Sequence, residues 1–189
     1  MTLSGLSEVL PESGGTKVLK TDRLVLRRHV ISDADWLYEH IGCDEGMFEY
    51  TGWNPYATLE DAREMVQHFI DSYNDENFYG WAIELDRDMI GTIGAYDFDA
   101  VKNCIEVGIS ICRYSWGKGY APETMREVLR YLTEERNIRT AKAWCAGDNL
   151  GSRKVMEKCG MKLVSVDKDA LQVGDVMYDK LNYEYESDR

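Results

Sequence analysis

The chain has no pair of cysteines at C-x-x-C spacing. Its five cysteines, Cys43, Cys104, Cys112, Cys145 and Cys159, form an odd and scattered set. That argues against a zinc site and against a thioredoxin-type redox pair. Free thiols in a reducing cytoplasm are the simplest reading. His29, His40 and His68 stand alone, without HxH or HExxH spacing, so no metal is expected. No Cys–His relation suggests a thiol nucleophile. No stretch approaches the roughly 18 apolar residues of a membrane-spanning helix. Residues 1–5 lack the basic run and apolar core of a signal peptide, so a cytoplasmic location is expected. Positive charge is also scarce, with 22 Lys and Arg against 34 Asp and Glu, a net of −12. A general nucleic-acid binder needs the opposite balance, and an anionic membrane surface is an equally poor partner. A cationic partner or substrate fits, and so does an ordinary role of charge in solubility.

What is present suits one folded domain. At 189 residues and 44% hydrophobic composition, the chain can bury roughly 70% of its extended surface. Residues 1–17, rich in Ser, Gly and Glu, read as a flexible leader, with the single domain over 18–189. Thr21–Arg28 alternates, with Leu24 and Leu26 on one side, and reads as a strand with one buried face. A short helix follows from Ser32 or Asp33, then a loop around Cys43–Tyr56. Thr58 and Asp61 form a loose capping box for a helix carrying Ala62, Met65, Val66, Phe69 and Ile70. Phe78–Leu85, Met89–Phe98 and Cys104–Cys112 then read as an antiparallel meander with turns at Asp86–Asp88 and Asp99–Asn103.

The second half changes rhythm. A glycine-containing turn at Ser115–Gly119 leads into a helix with Met125, Val128, Leu129 and Leu132 on one face and Pro122 in its first turn. A strand Thr140–Cys145 and a helix from about Asn149 to Cys159, closed by Gly160, come next. Strands near Met161–Val166 and Gly174–Tyr185 end the chain. Internal repeats are absent. This order predicts an α/β fold of the mixed α+β kind, a mostly antiparallel sheet with helices on both faces.

Gly117-Lys118-Gly119-Tyr120-Ala121 lies between a strand and a helix. Glycines there let several N–H groups converge, and the helix N-terminus adds partial positive charge, which suits a phosphate or pyrophosphate. Such a turn by itself can also be simply a turn. It is not a Walker loop, because Gly119 rather than Ser or Thr follows Lys118. It is not a dinucleotide fingerprint, because Pro122 stands where a third glycine belongs and the preceding strands form a meander. Residues 136–162 hold Arg136, Arg139, Lys142, Arg153, Lys154, Lys158 and Lys162 against Asp148 and Glu157. That is +5 in a chain whose remainder is −17. A basic island beside a phosphate turn suggests an anionic cofactor on one side and a cationic substrate on the other; chance clustering of surface lysines is the alternative.

Three segments carry a family resemblance in the right order. Ile105-Glu106-Val107-Gly108-Ile109 resembles the central strand of the GNAT superfamily of acyl-CoA-dependent N-acyltransferases. Trp116-Gly117-Lys118-Gly119-Tyr120-Ala121 resembles its pyrophosphate loop. Residues 149–161, from Asn149-Leu150-Gly151-Ser152 to Cys159-Gly160-Met161, resemble its last helix and the turn after it. Residues 21–27 resemble the first strand of the RimJ/RimL-like branch, so the likeness covers most of 21–165. The wider superfamily often has Gln or Arg where Trp116 stands; Trp is familiar in this branch.

The resemblance implies a sheet whose central strands splay apart to hold acetyl-CoA, with CoA as product. Ile109, Ser110 and Ile111 would offer strand backbone to the pantetheine arm. The N–H groups of Gly117, Lys118, Gly119, Tyr120 and Ala121, behind Trp116, would hold the pyrophosphate. Asn149 would bond the arm near the thioester, and Lys154 and Lys158 could approach the phosphates. The implied reaction is acetyl transfer to a primary amine by direct attack, with Glu106 as candidate general base and Ser152 as candidate proton donor and cofactor contact. Tyr120, Tyr183 and Tyr185 are alternative donors. The implied acceptor pocket carries Asp33, Asp35, Glu39, Asp44, Glu45 and Glu49, interleaved with Trp36, Tyr38, Phe48, Tyr50 and Trp53. Carboxylates beside aromatics suit a cationic amine, and also a solvated acidic face over an aromatic core. A protein or peptide N-terminus is the first acceptor expected. A polyamine or aminoglycoside-like amine is the second, and a non-catalytic acyl-CoA-binding module the reading from another class. Either a monomer or a homodimer is compatible with the residues.

Overall fold

A computed structural model describes residues 14–51 and 53–186. Eight strands form one sheet: β1 Leu19–Lys20, β2 Leu24–Arg27, β3 Tyr79–Leu85, β4 Asp88–Asp99, β5 Cys104–Ile111, β6 Thr140–Ala146, β7 Lys162–Val173 and β8 Val176–Glu186. Their spatial order is β1-β2-β3-β4-β5-β6-β8-β7. Every pairing is antiparallel except β5 with β6. The helices are α1 Asp33–Leu37, α2 Leu59–Ser72, α3 Tyr120–Arg130 and α4 Leu150–Lys158. Wider turns prolong α1 through Tyr38–Gly42 and α3 through Tyr131–Glu135.

Alternation along the strands divides the sheet into two faces. Trp81, Ile83, Ile93, Ile105, Val107 and Ala143 pack against Met125, Val128 and Leu129 of α3 and Met156 of α4. On the opposite face Ala82 and Met89 pack against Ala34 and Leu37 of α1 and Ala62 and Val66 of α2. The expected capping box of α2 is formed: Asp61 N–H donates to Thr58 Oγ1 at 3.1 Å, and Thr58 N–H to Asp61 Oδ2 at 2.9 Å. No helix among the described residues is long and apolar enough to cross a membrane.

Three local features differ from expectation. The first strand is a small hairpin, β1–β2, because Thr21 Oγ1 accepts the N–H of Leu24 at 3.0 Å and turns the chain. β7 runs on to Val173; nearly all of it is exposed, so no burial pattern marked its length. Residues 1–13 of the expected leader lie outside the described residues. The rest of it is held down: Thr16 is fully buried, and its hydroxyl donates to the Phe78 carbonyl at 2.9 Å and accepts the Gly80 N–H at 3.1 Å. The Lys17 carbonyl accepts the Trp81 indole N–H at 2.6 Å.

Candidate active site

The site begins with a gap in the sheet. β5 and β6 pair only at Cys104↔Thr140, Ile105↔Ala141 and Glu106↔Lys142. Beyond that point both strands continue, to Ile111 and Ala146, without pairing to each other. They diverge as a V that closes at Glu106 and opens toward α3 and α4. At about 3.3 Å per residue, the β5 wall from Glu106 to Ile111 is about 17 Å long.

The hydrogen-bond phase of the neighbouring ladders says which backbone groups face the V. Cys112 N–H donates to the Ile90 carbonyl at 2.9 Å. In an antiparallel ladder, hydrogen-bonded pairs alternate, so Ser110 and Gly108, in register with Thr92 and Gly94, bond toward β4. Ile109 and Ile111 therefore turn their N–H and C=O into the V. Likewise Gly147 N–H donates to the Asp179 carbonyl at 2.8 Å, which sets Cys145 and Ala143 toward β8 and Trp144 toward the V. Main-chain groups without partners demand one, and an extended ligand carrying amides would supply it. Two expectations change here. The Ser110 backbone is committed to β4 and cannot serve an arm in the V. The Ile111 carbonyl already accepts the Trp116 indole N–H at 2.6 Å, leaving its N–H to face the V.

At the open end, β5 leads through a tight turn at Arg113–Ser115 to the phosphate turn. Gly117 and Gly119 adopt φ of +74° and +84°, a region that costs other L-residues about 1–2 kcal/mol. Gly119 is the N-cap of α3 and has no capping side chain. Among the described residues, none of the N–H groups of residues 117–121 has an acceptor; the first one used is that of Glu123, bonded to the Gly119 carbonyl at 3.2 Å. The turn thus presents a set of free donors at the positive end of a helix, the requirement for an anion.

Sequence reasoning missed what braces this turn. Arg23 of the β1–β2 hairpin donates from Nη1 to the Lys118 carbonyl at 3.2 Å. Its guanidinium lies 4.6 Å from the Tyr120 ring centroid, and its Nε donates to Glu123 at 2.7 Å. Thr21 donates to the same carboxylate at 2.6 Å. Burial pushes the Glu123 carboxyl up, but the hydrogen bonds from Thr21 and Arg23 outweigh it and hold the group below its ordinary range. Nothing local signals such contacts, since Arg23 and Glu123 are a hundred residues apart.

α4 closes the other side of the opening. Asn149 is its N-cap, its Oδ1 accepting the Ser152 N–H at 3.0 Å. That leaves the Asn149 amide NH2 as a donor, and Ser152 Oγ has no partner among the described residues. Cys159 donates to the Pro122 carbonyl at 3.4 Å, and Arg126 Nη1 to the Lys158 carbonyl at 3.3 Å. The C-terminus of α4 therefore packs on the first turns of α3, and Lys154 and Lys158 are exposed beside it.

Glu106 stands at the closed end of the V, on the face opposite α3 and α4. Trp144 Nε1–H donates to Glu106 Oε1 at 2.7 Å. The Tyr96 phenol lies beside the carboxylate; burial and then the Glu106 charge push the Tyr96 hydroxyl well above the usual phenol range. Tyr96 pairs with Glu106 across β4–β5 and leans over Gly108, where a Cβ would lie 3.0 Å from its oxygen. Among the alternative donors, Tyr183 is buried on the opposite face with its hydroxyl 3.5 Å from Glu157, and Tyr185 packs on the same core.

The acidic loop is less open to a cation than its composition suggested. Asp33 is buried and bidentate with Arg27, at 2.7 and 2.9 Å. Asp35 lies 3.5 Å from Arg63. Asp44 forms a two-bond pair with Arg113, which ties the loop before α2 to the turn after β5. Glu39, Glu45 and Glu49 remain. Tyr50 meets Tyr178 of β8 edge-on at 5.7 Å, so this loop and the β7–β8 hairpin touch. Among the described residues no group of three or more His, Cys, Asp or Glu is placed to hold a metal ion.

Known proteins share the fold. Residues 23–162 match the family model described as an acetyltransferase (GNAT) domain. The N-acetyltransferase YoaA of Bacillus subtilis (strain 168), itself uncharacterised, is 27% identical over 164 residues, 86% of this chain and 92% of that protein. A GNAT-family acetyltransferase from Bacillus anthracis superposes with a TM-score of 0.79 at 23% identity, over 90% of this chain and 98% of that one. The ribosomal L7/L12 α-N-protein acetyltransferase RimL, solved with coenzyme A, superposes with a TM-score of 0.83 at 18% identity, over 91% and 99%. At those identities the two structures show a shared fold. The family model spans most of the sequence, including the V, the phosphate turn and α4, and the chain belongs to the GNAT acetyltransferase family.

Proposed function

We propose that the protein transfers the acetyl group of acetyl-CoA to a primary amine, and that its acceptor is the α-amine of a protein or peptide N-terminus. The observation that carries this reading is the V itself: unpaired backbone leads from a turn of free N–H donors down to a single carboxylate. Bound acetyl-CoA supplies the electrophilic thioester carbonyl and the thiolate leaving group. Residues 117–121 hold the pyrophosphate through their N–H groups. Ile109, the Ile111 N–H and Trp144 offer backbone groups to the pantetheine amides, and the Asn149 NH2 donates to the arm. Glu106 takes a proton from the attacking amine, and Ser152 Oγ–H is free to protonate the sulfur.

The need for a base sets the acceptor preference. With reference pKa values of about 8 and 10.4, roughly one α-amine in ten is neutral at pH 7 but fewer than one lysine in a thousand. RimL, by its description an α-N-protein acetyltransferase, lends the same direction. The test is CoA release with four acceptors: peptides with a free α-amine and acetylated lysines, peptides blocked at the α-amine with free lysines, spermidine, and an aminoglycoside. The expected result is turnover on the first class above the other three. Turnover confined to spermidine or the aminoglycoside would replace the acceptor with a small amine and leave the transferase reading standing.

A further inference from the structure

We infer that Trp144 is a positioning residue for Glu106, aiming its carboxylate at the closed end of the V. The inference rests on Glu106 being the base. The observations are independent of that role. Trp144 lies two residues beyond the last β5–β6 pair, at Lys142, so it is the first β6 residue with backbone turned into the open V. Its side chain projects to the Glu106 face, and its indole N–H donates to Glu106 Oε1 at 2.7 Å. The same residue thus touches both the cofactor channel and the base.

The indole is itself held in place. Lys180 Nζ, from β8, lies 4.7 Å from the centroid of its ring. Across the neighbouring strands Glu106 pairs with Tyr96 of β4 and Lys142 of β6, and Lys142 is turned toward Glu184 at 3.9 Å. Among the described residues neither lysine forms an ion pair with Glu106, and the neutral indole is the donor that meets the carboxylate. An indole suits the task because it donates and cannot accept or titrate, so it holds the base without competing for the proton.

The test uses Trp144→Phe, which keeps an aromatic ring and removes the donor, alone and combined with Glu106→Gln. Turnover is read as kcat and KM with a free α-amine peptide, and acetyl-CoA affinity by titration. Trp144→Phe should lower kcat by about tenfold, with acetyl-CoA Kd changed less than about twofold, and should lower kcat no further when Glu106 is already Gln. An equal further loss in the Glu106→Gln background would overturn the positioning role, and so would wild-type kcat in Trp144→Phe. Wild-type kcat in Glu106→Gln alone would instead overturn the reading on which this inference depends.

Discussion

Adding a side chain at Gly117 separates the two properties on which the phosphate turn depends. Its φ is +74°, and an added Cβ would meet no atom within 4 Å. Substitution there is therefore a pure test of backbone conformation. Holding an alanine in the left-handed region costs about 1–2 kcal/mol. For a domain of this length, each kcal/mol moves the unfolding midpoint by about 2–4 °C. Gly117→Ala should then lower Tm by about 2–8 °C, Gly117→Asn by less, and Gly117→Val by more. The wild-type protein with CoA at 100 times its Kd should gain about 2.7 kcal/mol, or about 5–11 °C on the same scale. A variant has two ways to respond. It can keep the turn and carry the strain, which lowers Tm and preserves the CoA-induced shift. It can relax to negative φ, which restores Tm, swings N–H groups away from the anion, and shrinks the shift. Thermal unfolding with and without CoA reads both. A Gly117→Val protein with wild-type Tm and a wild-type CoA shift would refute the account of this turn.

Other consequences follow from the same geometry. The β3–β4 hairpin turns through Asp86 and Arg87, both at positive φ, so Arg87→Gly should stabilise the fold by about 1 kcal/mol, measured by chemical denaturation. Arg27→Met leaves buried Asp33 without its guanidinium and should cost about 3–5 kcal/mol. Burial pushes the Asp33 carboxyl up, but hydrogen bonds from His29 and Arg27 outweigh it and hold the group well below the carboxylate range. Its contribution is thus present above the unfolded value near pH 4 and lost as pH falls through the folded one; wild type should lose stability below about pH 4 more steeply than Asp33→Asn. Cys43 is exposed while the other four cysteines are buried, and burial raises the Cys145 and Cys159 thiols to about 11. A colorimetric thiol reagent should therefore titrate one fast group in native protein and five after denaturation.

Local chemistry made much of the fold legible. Thr58 and Asp61 announce α2, Pro122 and the Met125–Val128–Leu129 stripe announce α3, and two glycines around Lys118 announce a turn that needs left-handed backbone. Each of those signals is complete within a few residues. The V is different in kind. Its existence depends on where β5 and β6 stop pairing, and its polarity on the hydrogen-bond phase set by β4 and β8, which is why Ser110 was assigned a backbone role it cannot fill. The partners of Glu106 were hidden for the same reason: Trp144 lies 38 residues away in sequence, and Tyr96 reaches it across a strand pair. The acidic loop misled in the other direction. Composition shows Asp33, Asp35 and Asp44 as free charges, whereas Arg27, Arg63 and Arg113 each arrive from elsewhere to neutralise one.

The most direct test of the central claim is to compare turnover and acetyl-CoA binding in wild type and Glu106→Gln, using the same preparation and a free α-amine peptide. Loss of a general base typically costs about 10²–10⁴-fold. The account predicts a fall in kcat of that order, with acetyl-CoA Kd changed less than about twofold, because Glu106 lies at the closed end of the V and the phosphate turn at its open end. Turnover equal to wild type across the pH range would contradict it, and would move the proton transfer away from Glu106.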